Sequence, residues 1–351
     1  MKEKFEFRFS RNFAEITAIV TLSCLLIFYV VLLLWPQGNP YDFVKVTIPK
    51  GASLNEVGIT LKNNNIIHNK QSFQLAVKIL GYEKDIPAGR FRIEKASTNY
   101  AIIDQLVNGK QLTKKVTIRE GWTISMIAKE LDEKLGINTH FFEDATHNKN
   151  LLDKWGIQAK SFEGYLFPNT YQFNENELPS DIINVMVQEY KRNLSDDMLV
   201  QMNQIKMSEQ EVLTLASIIE GEAIYDKERA IISGVYHNRL KKGMRLQADP
   251  TIQYILEDGP RRLLNRDLKI VSPYNTYLNK GLPPGPINNP GIESIKAALF
   301  PTESDYLYFV ARGDGYHTFS KTEKQHNKAK RDFQKVRRNA KKLKSKRMSS
   351  S

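Results

Sequence analysis

Two stretches of the chain, VTIPKGASL at residues 46–54 and VTIREGWTI at residues 116–124, repeat one pattern 70 residues apart. Each copy predicts a strand, a turn at glycine, a Ser or Thr helix cap and a following helix. In the first copy, Ser53 is followed three residues later by Glu56, which predicts a reciprocal capping box. In the second copy, Thr123 can cap the helix but has no such partner. The repeat therefore predicts an α+β fold in which short strands lead into helices.

The two copies also divide the chain into domains. The first copy opens a small module over residues 43–115, in which GRFRI at residues 89–93 predicts a further strand. Its V-x-I-P-x-G-x-S pattern resembles LysM-like modules, small α/β folds that bind chains of N-acetylated sugars. A generic α/β packing unit is the alternative. The second copy opens a larger mixed α/β domain, expected to be catalytic, over residues 116–327.

An uncharged stretch of 20 residues, ITAIVTLSCLLIFYVVLLLW at 16–35, precedes both copies. At ~1.5 Å per residue, a helix of this length spans roughly 30 Å, the thickness of a bilayer core. We therefore expect a single transmembrane helix at residues 16–35, followed by a linker at residues 36–42 that is rich in Pro and Gly. A cleaved secretory signal is the weaker alternative, because the apolar run exceeds a signal core and no A-x-A cleavage site follows.

The charges beside this helix predict its orientation. Four basic residues lie within residues 1–15, whereas Lys45 is the first basic residue after the helix. The positive-inside rule then places residues 1–15 in the cytoplasm. We therefore expect a single-pass protein of the cytoplasmic membrane, with its catalytic domain on the outer side.

The net charge of +12 is concentrated at the C-terminus. From Lys324 to Ser351 there are twelve Lys or Arg and one acidic residue, so the rest of the chain is nearly neutral. Residues 328–351 therefore form a basic tail beyond the larger domain. The basic run from Lys335 to Arg347 contains no aromatic residue. Its composition therefore favours a solvent-exposed segment over a segment that binds nucleic acid specifically. We expect no nucleic-acid partner.

Several classes of chemistry leave no signature in this sequence. The single cysteine excludes an internal disulfide framework and a cysteine-clustered zinc site. The chain has no H-E-x-x-H motif, Walker loop, G-x-G-x-x-G helix start or G-x-S-x-G elbow. We therefore expect neither a metal site nor a cofactor.

The most informative predicted helix begins at Ser208, which forms a capping-box pattern with Glu211 and is followed by VLTLASIIEGEA at residues 212–223. Its apolar residues lead to Glu220 near the C-terminal end, and Gly221 is expected to end the helix. Apolar neighbours and the negative end of the helix dipole both disfavour a charged carboxyl. Glu220 can therefore stay protonated and act as a general acid. The alternative is a surface or salt-bridged glutamate.

Two downstream segments, at residues 236–254 and 272–291, are dense in Asn, Tyr, Pro and Gly. Such loops suit hydrogen bonding to hydroxyl and amide groups, and their tyrosine rings suit stacking on sugars. Surface loops that are simply rich in turn formers are the alternative.

Six motifs follow one another along the chain: EGYLFPNTY (163–171), LASIIEGEA (215–223), NRLKKGMRLQADPTIQY (238–254), YNTYLNKGLPPGPI (274–287), NPG (289–291) and YLYFVARGDGYHTFS (306–320). This ordered set resembles the endolytic murein transglycosylase family, also called YceG-like, over about residues 43–327. The family often has Asp where this chain has Asn169, and the basic tail lies outside the pattern.

The resemblance implies a membrane-anchored lytic enzyme whose catalytic glutamate is Glu220. It would cleave the β-1,4 bond between N-acetylmuramic acid and N-acetylglucosamine in nascent peptidoglycan strands. The product would carry a 1,6-anhydro end, formed without added water, and the cut would terminate strand elongation. The candidates for orienting the sugar, each of which could instead stabilise a turn, are Asn275, Tyr277, Gln247, Asn238 and Glu163.

The resemblance also implies partners. We expect peptidoglycan glycan strands and the membrane, with peptidoglycan synthases as further candidates. A non-catalytic, peptidoglycan-binding membrane scaffold is the main alternative. Nucleic-acid binding is a third hypothesis, and it depends on the basic tail alone.

Overall fold

The computed structural model describes residues 11–35, 43–94, 97–109, 112–175, 177–256, 259 and 261–349. The predicted linker at residues 36–42 lies outside the described residues. The chain divides into two compact units, Met1–Lys114 and Lys115–Ser351.

The first unit contains four helices and a two-stranded sheet within its described residues. Its elements are α1 (Arg11–Leu34), β1 (Phe43–Ile48), α2 (Leu54–Asn63), α3 (Lys70–Leu80), β2 (Gly89–Glu94) and α4 (Asn99–Val107). β1 and β2 pair antiparallel, with Phe43 opposite Glu94 and Ile48 opposite Gly89. The strand predicted at residues 89–93 is therefore confirmed. After α1, the unit follows the order strand, helix, helix, strand, helix.

The core of the first unit forms because alternate residues of both strands face the helices. Val46 and Ile48 of β1 and Phe91 and Ile93 of β2 are all buried. They pack with apolar residues of α2, α3 and α4, among them the fully buried Phe73.

α1 is the one helix, within the described part of the chain, that is long and apolar enough to cross a membrane. Its apolar span, Glu15–Leu34, has a mean hydropathy of 2.7. At its C-terminal end, Leu32 and Leu33 are buried in the core of the first unit. The Asn99 side chain donates a 2.8 Å hydrogen bond to the Leu32 carbonyl, which also ties α1 to α4.

Within its described residues, the second unit is mostly helical and has two further pairs of strands. Its elements are β3 (Thr113–Thr117), α5 (Ile124–Leu135), α6 (Thr139–Thr146), α7 (Lys149–Lys154), β4 (Thr170–Asn174), α8 (Pro179–Asn193), α9 (Asp196–Ile205), α10 (Glu209–Glu222), α11 (Asp226–Lys241), α12 (Asp249–Tyr254), a 3₁₀ turn (Asp267–Lys269), α13 (Ile292–Leu299), β5 (Tyr308–Ala311), β6 (His317–Ser320) and α14 (Glu323–Ser349). β3 pairs with β4, and β5 pairs antiparallel with β6. The mixed α and β composition expected from the sequence is present in both units.

The sequence repeat gives the same local structure twice. Gly51 and Gly121 both adopt a left-handed backbone, with φ of 76° and 75°, which a residue with a side chain rarely adopts. Ser53 then caps α2 with a complete capping box that includes Glu56. Thr123 caps α5 by accepting a hydrogen bond from the backbone of Met126. Both predicted helix starts are therefore confirmed.

α10 is the central helix of the second unit, and α11, α12 and α13 pack against it. Every residue from Val212 to Ile219 is buried, so the helix is enclosed on all sides over two turns. Ser208 begins it with the predicted capping box to Glu211. Glu220 is the first residue of the helix after this buried stretch.

The basic tail belongs to a helix. α14 runs from Glu323 to Ser349, and its first turns pack against β5 and β6. The His326 ring stacks on Tyr308 with 5.1 Å between ring centroids. The described part of the tail is thus a helical extension of the second unit, in agreement with the helical pattern of the sequence beyond Phe319.

Candidate active site

Glu220 lies in the last turn of α10, and its side chain is 7% exposed. Two groups hold its oxygens. Arg229 Nη1 lies 3.1 Å from Oε1, and the Gly291 N–H donates a 3.0 Å hydrogen bond to Oε2. Glu220 is therefore fixed in one orientation by α11 on one side and by the start of α13 on the other.

The surroundings of Glu220 differ from the apolar pocket expected from the sequence. The Arg229 side chain is 8% exposed and also binds Asp226 Oδ1 at 3.0 Å and the Ser294 hydroxyl. The structure therefore places a guanidinium directly against the Glu220 carboxyl, a partner that helical spacing alone did not identify.

Gly221 does not end α10, which corrects the sequence prediction. The helix continues to Glu222, and Ala223 is its C-cap. A Cβ at Gly221 would lie 2.6 Å from Cβ of Pro250, at the start of α12. The glycine therefore allows α12 to pack closely against the turn that carries Glu220.

The turn between β3 and α5 also approaches Glu220. A Cβ at Gly121 would lie 3.5 Å from Cγ of Glu220. Gly121 N–H donates to the Asn289 carbonyl at 2.9 Å, and Asn289 N–H donates to the Trp122 carbonyl at 2.9 Å. These bonds fix the turn, and Glu120 within it, beside the Asn289–Gly291 segment.

A second polar cluster lies between the end of α10 and the start of α12. The Tyr236 hydroxyl donates a 3.1 Å hydrogen bond to Glu222, and the Tyr277 hydroxyl donates to Asp249. Burial, followed by the charge of Asp249, raises the pKa of Glu222 to about 7. Asp249, at the start of α12, thus has a specific hydrogen-bond partner in Tyr277.

Of the predicted sugar-orienting residues, two retain solvent-exposed surface, and the other three bind the backbone of loops. Tyr277 is half-buried, and Gln247 is exposed next to α12. Gln247 has a φ of 49°, an uncommon value for a residue other than glycine, and its N–H donates to the Thr276 carbonyl at 3.1 Å. Strained backbone of this kind often occurs at functional loops. Tyr277 and Gln247 therefore lie on adjoining loops.

Asn275 and Asn238 use their side chains to hold loops. Asn275 is fully buried; its amide group donates to two carbonyls of its own loop and its oxygen accepts the Tyr277 N–H at 2.8 Å. Asn238 donates to the carbonyls of Ser304 and Tyr306 at 2.7 and 3.0 Å. These contacts shape the loops that surround the site.

Glu163 belongs to a buried network centred on Asn289. Its carboxylate accepts hydrogen bonds from the Ile124 N–H at 3.1 Å and from the Asn289 side chain at 2.8 Å. The Asn289 side-chain oxygen in turn accepts the N–H groups of Gly164 and Leu166, both at 2.9 Å. The network joins the 163–171 motif to the 289–291 motif, two residues before Gly291.

Sequence reasoning did not assign Glu120, Arg229 or Asn289 to the site. Asn289 lies in the NPG motif, Glu120 lies in the second copy of the repeat, and Arg229 lies between the motifs at residues 215–223 and 238–254. Their roles depend on contacts between distant segments. In the part of the chain that the structure describes, no group of three or more His, Cys, Asp or Glu could hold a metal ion.

The residues that make these contacts lie in a region that this chain shares with a known protein family. The model of the YceG-like family matches residues 46–332. The chain belongs to the YceG-like family. The match includes Glu120, Glu220, Arg229 and Gly291, so the whole site lies within the shared region. The resemblance found from the motifs is thereby confirmed.

Individual relatives support the same assignment. The chain is 37% identical over 313 residues to a Bacillus subtilis protein named endolytic murein transglycosylase, covering 83% of this chain and 84% of that protein. A Streptococcus pneumoniae protein of the same name is 30% identical over 306 residues, covering 78% of this chain and 55% of that protein. A yceG-like protein of Listeria monocytogenes, known from a 2.6 Å crystal structure, is 34% identical with a TM-score of 0.58, covering 82% of this chain and 99% of that chain.

Proposed function

We propose that this YceG-like chain is an endolytic murein transglycosylase with Glu220 as its catalytic acid and base. It cleaves the β-1,4 bond between N-acetylmuramic acid and N-acetylglucosamine in nascent strands and leaves 1,6-anhydro ends. The observation that carries the proposal is the nearly buried Glu220 carboxyl, held at fixed geometry by Arg229 and Gly291. The names of the relatives give the reaction class.

A single carboxyl suffices for this chemistry. Ordinary glycosidases use two carboxyl groups, because water or an enzyme nucleophile must attack the sugar. In the lytic reaction, Glu220 gives its proton to the bridging oxygen, and the bond from that oxygen to the muramic acid C1 breaks. The 6-hydroxyl oxygen of the same muramic acid then bonds to C1, and its proton returns to Glu220. The cycle consumes no water and regenerates the acid.

The loops around Glu220 supply the candidate sugar contacts. Tyr277 and Gln247 retain exposed surface on adjoining loops, so we propose that they touch the glycan directly. Asn275, Asn238 and Glu163 bind loop backbone, and we propose that they orient the glycan chiefly by fixing the loops that line its path.

The N-terminal helix and the first unit are suited to an enzyme that acts on a polymer at the membrane surface. α1 is long and apolar enough to anchor the protein in a membrane, and basic residues before it favour a cytoplasmic N-terminus. We propose that the first unit is a LysM-like module that grips the glycan, which its strand-helix-helix-strand order supports. We also propose peptidoglycan synthases as partners, because they extend the same glycan strands that this enzyme would cut.

The decisive experiment is digestion of purified sacculi by the full-length protein in detergent. Mass spectrometry of the wild-type digest should detect muropeptides with anhydro ends. Glu220→Gln should reduce their rate of release by at least about 100-fold, the usual effect of losing a general acid. Glu209→Gln removes a charge at the other end of the same helix, where Glu209 pairs with Lys191 at 2.6 Å, and should remain active.

Two outcomes would reject the proposal. Release that is unchanged in Glu220→Gln would exclude Glu220 as the acid. Binding of sacculi by the wild type without any release would instead support the non-catalytic scaffold.

A further inference from the structure

Two tyrosine rings stack on each other where α11 begins. Tyr225 is the N-cap residue of α11, and Tyr316 directly precedes β6. Their ring centroids are 4.3 Å apart, and the two ring planes differ by 21°. Although Tyr316 covers one face of the Tyr225 ring, Tyr225 is still 39% exposed. The pair therefore offers an aromatic surface that a ligand can reach.

This tyrosine pair borders the proposed catalytic site. Tyr225 follows Ala223, the C-cap of α10, by two residues, so its Cα lies within about 8 Å of the end of that helix. The next residue, Asp226, binds Arg229 at 3.0 Å, and Arg229 binds Glu220 at 3.1 Å. The exposed aromatic surface is thus continuous with the contacts that hold Glu220.

The hairpin that carries Tyr316 is joined to α11 by other contacts. Glu228, in the first turn of α11, accepts a hydrogen bond from the His317 N–H at 3.0 Å and lies 2.9 Å from His317 Nδ1. Both side chains are about nine-tenths buried. These contacts hold the β5–β6 hairpin against α11 independently of the tyrosine stacking, so the exposed rings are available for another role.

The turn of the same hairpin fixes the Tyr225 ring and places polar groups beside the pair. A Cβ at Gly315 would lie 2.7 Å from Cε2 of Tyr225, so the glycine backbone packs directly on this ring. Arg312 and Asp314 pair at 2.6 Å, and both side chains are about half exposed. The Arg312 guanidinium carbon lies 5.8 Å from the centroid of the Tyr316 ring.

This combination of groups fits a sugar ring. The C–H groups of a pyranose can pack on an aromatic surface, while its hydroxyl and amide groups form hydrogen bonds with a neighbouring guanidinium or carboxylate. Because each tyrosine ring already holds the other, little side-chain entropy is lost when the sugar binds.

We propose that Tyr225 and Tyr316 form a subsite that binds an N-acetylated pyranose of the glycan strand, beside the bond that is cut. The two tyrosines bind the strand and take no part in proton transfer. The inference rests on the proposed function, because the subsite would hold the same strand that Glu220 cleaves.

Hydroxyl-radical footprinting of the full-length protein in detergent tests the subsite without relying on activity. The probe is chitohexaose, a β-1,4-linked hexamer of N-acetylglucosamine, and peptide mass spectrometry measures the oxidation of each aromatic residue. Chitohexaose should reduce the oxidation of Tyr225 and Tyr316 several-fold. Phe141, which is 71% exposed on α6, is the control ring and should be oxidised equally with and without the probe. Oxidation of Tyr225 that chitohexaose does not change would overturn the inference.

The rate of anhydro-muropeptide release distinguishes a binding role from a purely structural one. Tyr225→Ala should lower the rate roughly tenfold at low sacculus concentration and much less at saturation, because a lost binding contact raises KM. Tyr225→Phe keeps the ring and should lose much less affinity than Tyr225→Ala. Phe141→Ala removes an exposed ring outside the subsite and should retain the wild-type rate.

The remaining outcomes separate this inference from the proposed function. If Tyr225→Ala lowered the rate equally at every sacculus concentration, the ring would act on the geometry of Glu220, and the subsite would be rejected while the proposed function stood. Absence of anhydro products from the wild type would instead reject the proposed function, and footprinting would still report whether the tyrosines bind the sugar.

Discussion

Glu163 illustrates how a buried carboxyl can serve the site without performing its chemistry. It is 6% exposed and accepts hydrogen bonds from the Ile124 N–H at the start of α5 and from the Asn289 side chain. Burial raises its pKa from 4.5 to about 8, although both hydrogen bonds oppose the increase. Glu163 therefore binds a proton near neutral pH in the folded protein.

This raised pKa predicts that the protein loses stability as pH increases from about 5 to about 8. In that range the folded state holds a proton on Glu163 that the unfolded state has already released, so the free energy of unfolding falls as pH rises. Glu163→Gln stays neutral and keeps an oxygen for the two donors. It should reduce this loss by an amount on the order of a few kcal/mol, measured by urea unfolding at several pH values.

Two features of that experiment make its result clear. Glu222, whose pKa is raised to about 7, contributes a slope of the same sign, so Glu163→Gln should flatten the curve without abolishing it. Glu133→Gln neutralises an exposed carboxyl and should leave the slope unchanged. A Glu163→Gln curve parallel to that of the wild type would show that Glu163 is ionised throughout the range.

The residues of the site differ in how far the sequence could predict them. Glu220 could be found because its helix, its cap and its motif are all local patterns. Arg229 and Glu120 could not, because they meet Glu220 only when α11 and the β3–α5 turn pack against α10. The sequence predicted apolar surroundings for Glu220 and missed Arg229 for the same reason. Helical periodicity identifies neighbours on the same helix but not charged side chains on adjacent elements.

At the scale of elements, the two ends of α10 show the same contrast. Its start at Ser208 follows from a capping box, a local pattern that sequence spacing predicts well. Its end does not follow from Gly221, because that glycine meets the ring of Pro250 from a distant segment. A glycine in a helix has two explanations, chain termination and close packing, and only the fold distinguishes them.

Gly221→Ala tests the packing explanation. Alanine favours a helix by up to about 1 kcal/mol, but its Cβ would lie 2.6 Å from Pro250 Cβ and 2.8 Å from Cγ. We expect a net loss of roughly 1–3 kcal/mol in the free energy of unfolding, together with reduced release of anhydro-muropeptides, because α12 must move away from Glu220. Thermal unfolding and the sacculus assay measure the two effects.

Gly58→Ala is the matched control for this variant. Gly58 also lies inside a helix, α2, where a Cβ would lie 2.8 Å from Cγ of Lys70, an unbranched side chain that can rotate away, whereas the ring of Pro250 cannot. This variant should therefore change stability little and retain activity. If Gly221→Ala behaved in the same way, α12 would not depend on close approach to Gly221.

At the scale of the whole molecule, the two units have separate cores. The core of the first unit is formed by residues from α1, both strands and the helices α2 to α4. The core of the second unit runs from Val116 to Leu299 and shares no residue with the first. Each copy of the repeat contributes a strand to one of the cores: Val46 and Ile48 of β1 are buried in the first, and Val116 of β3 is buried in the second.

Separate cores predict that a core mutation destabilises only its own unit. Phe73 in α3 and Phe142 in α6 are both fully buried, one in each core. Replacing either by Ala should cost roughly 3–5 kcal/mol, because the cavity loses both transfer energy and packing. Hydrogen exchange of the full-length protein in detergent should therefore accelerate in α2 to α4 for Phe73→Ala and in α5 to α8 for Phe142→Ala. Accelerated exchange across both units in either variant would mean that the two cores unfold together, and the glycan-gripping role proposed for the first unit could then not be separated from catalysis by mutation.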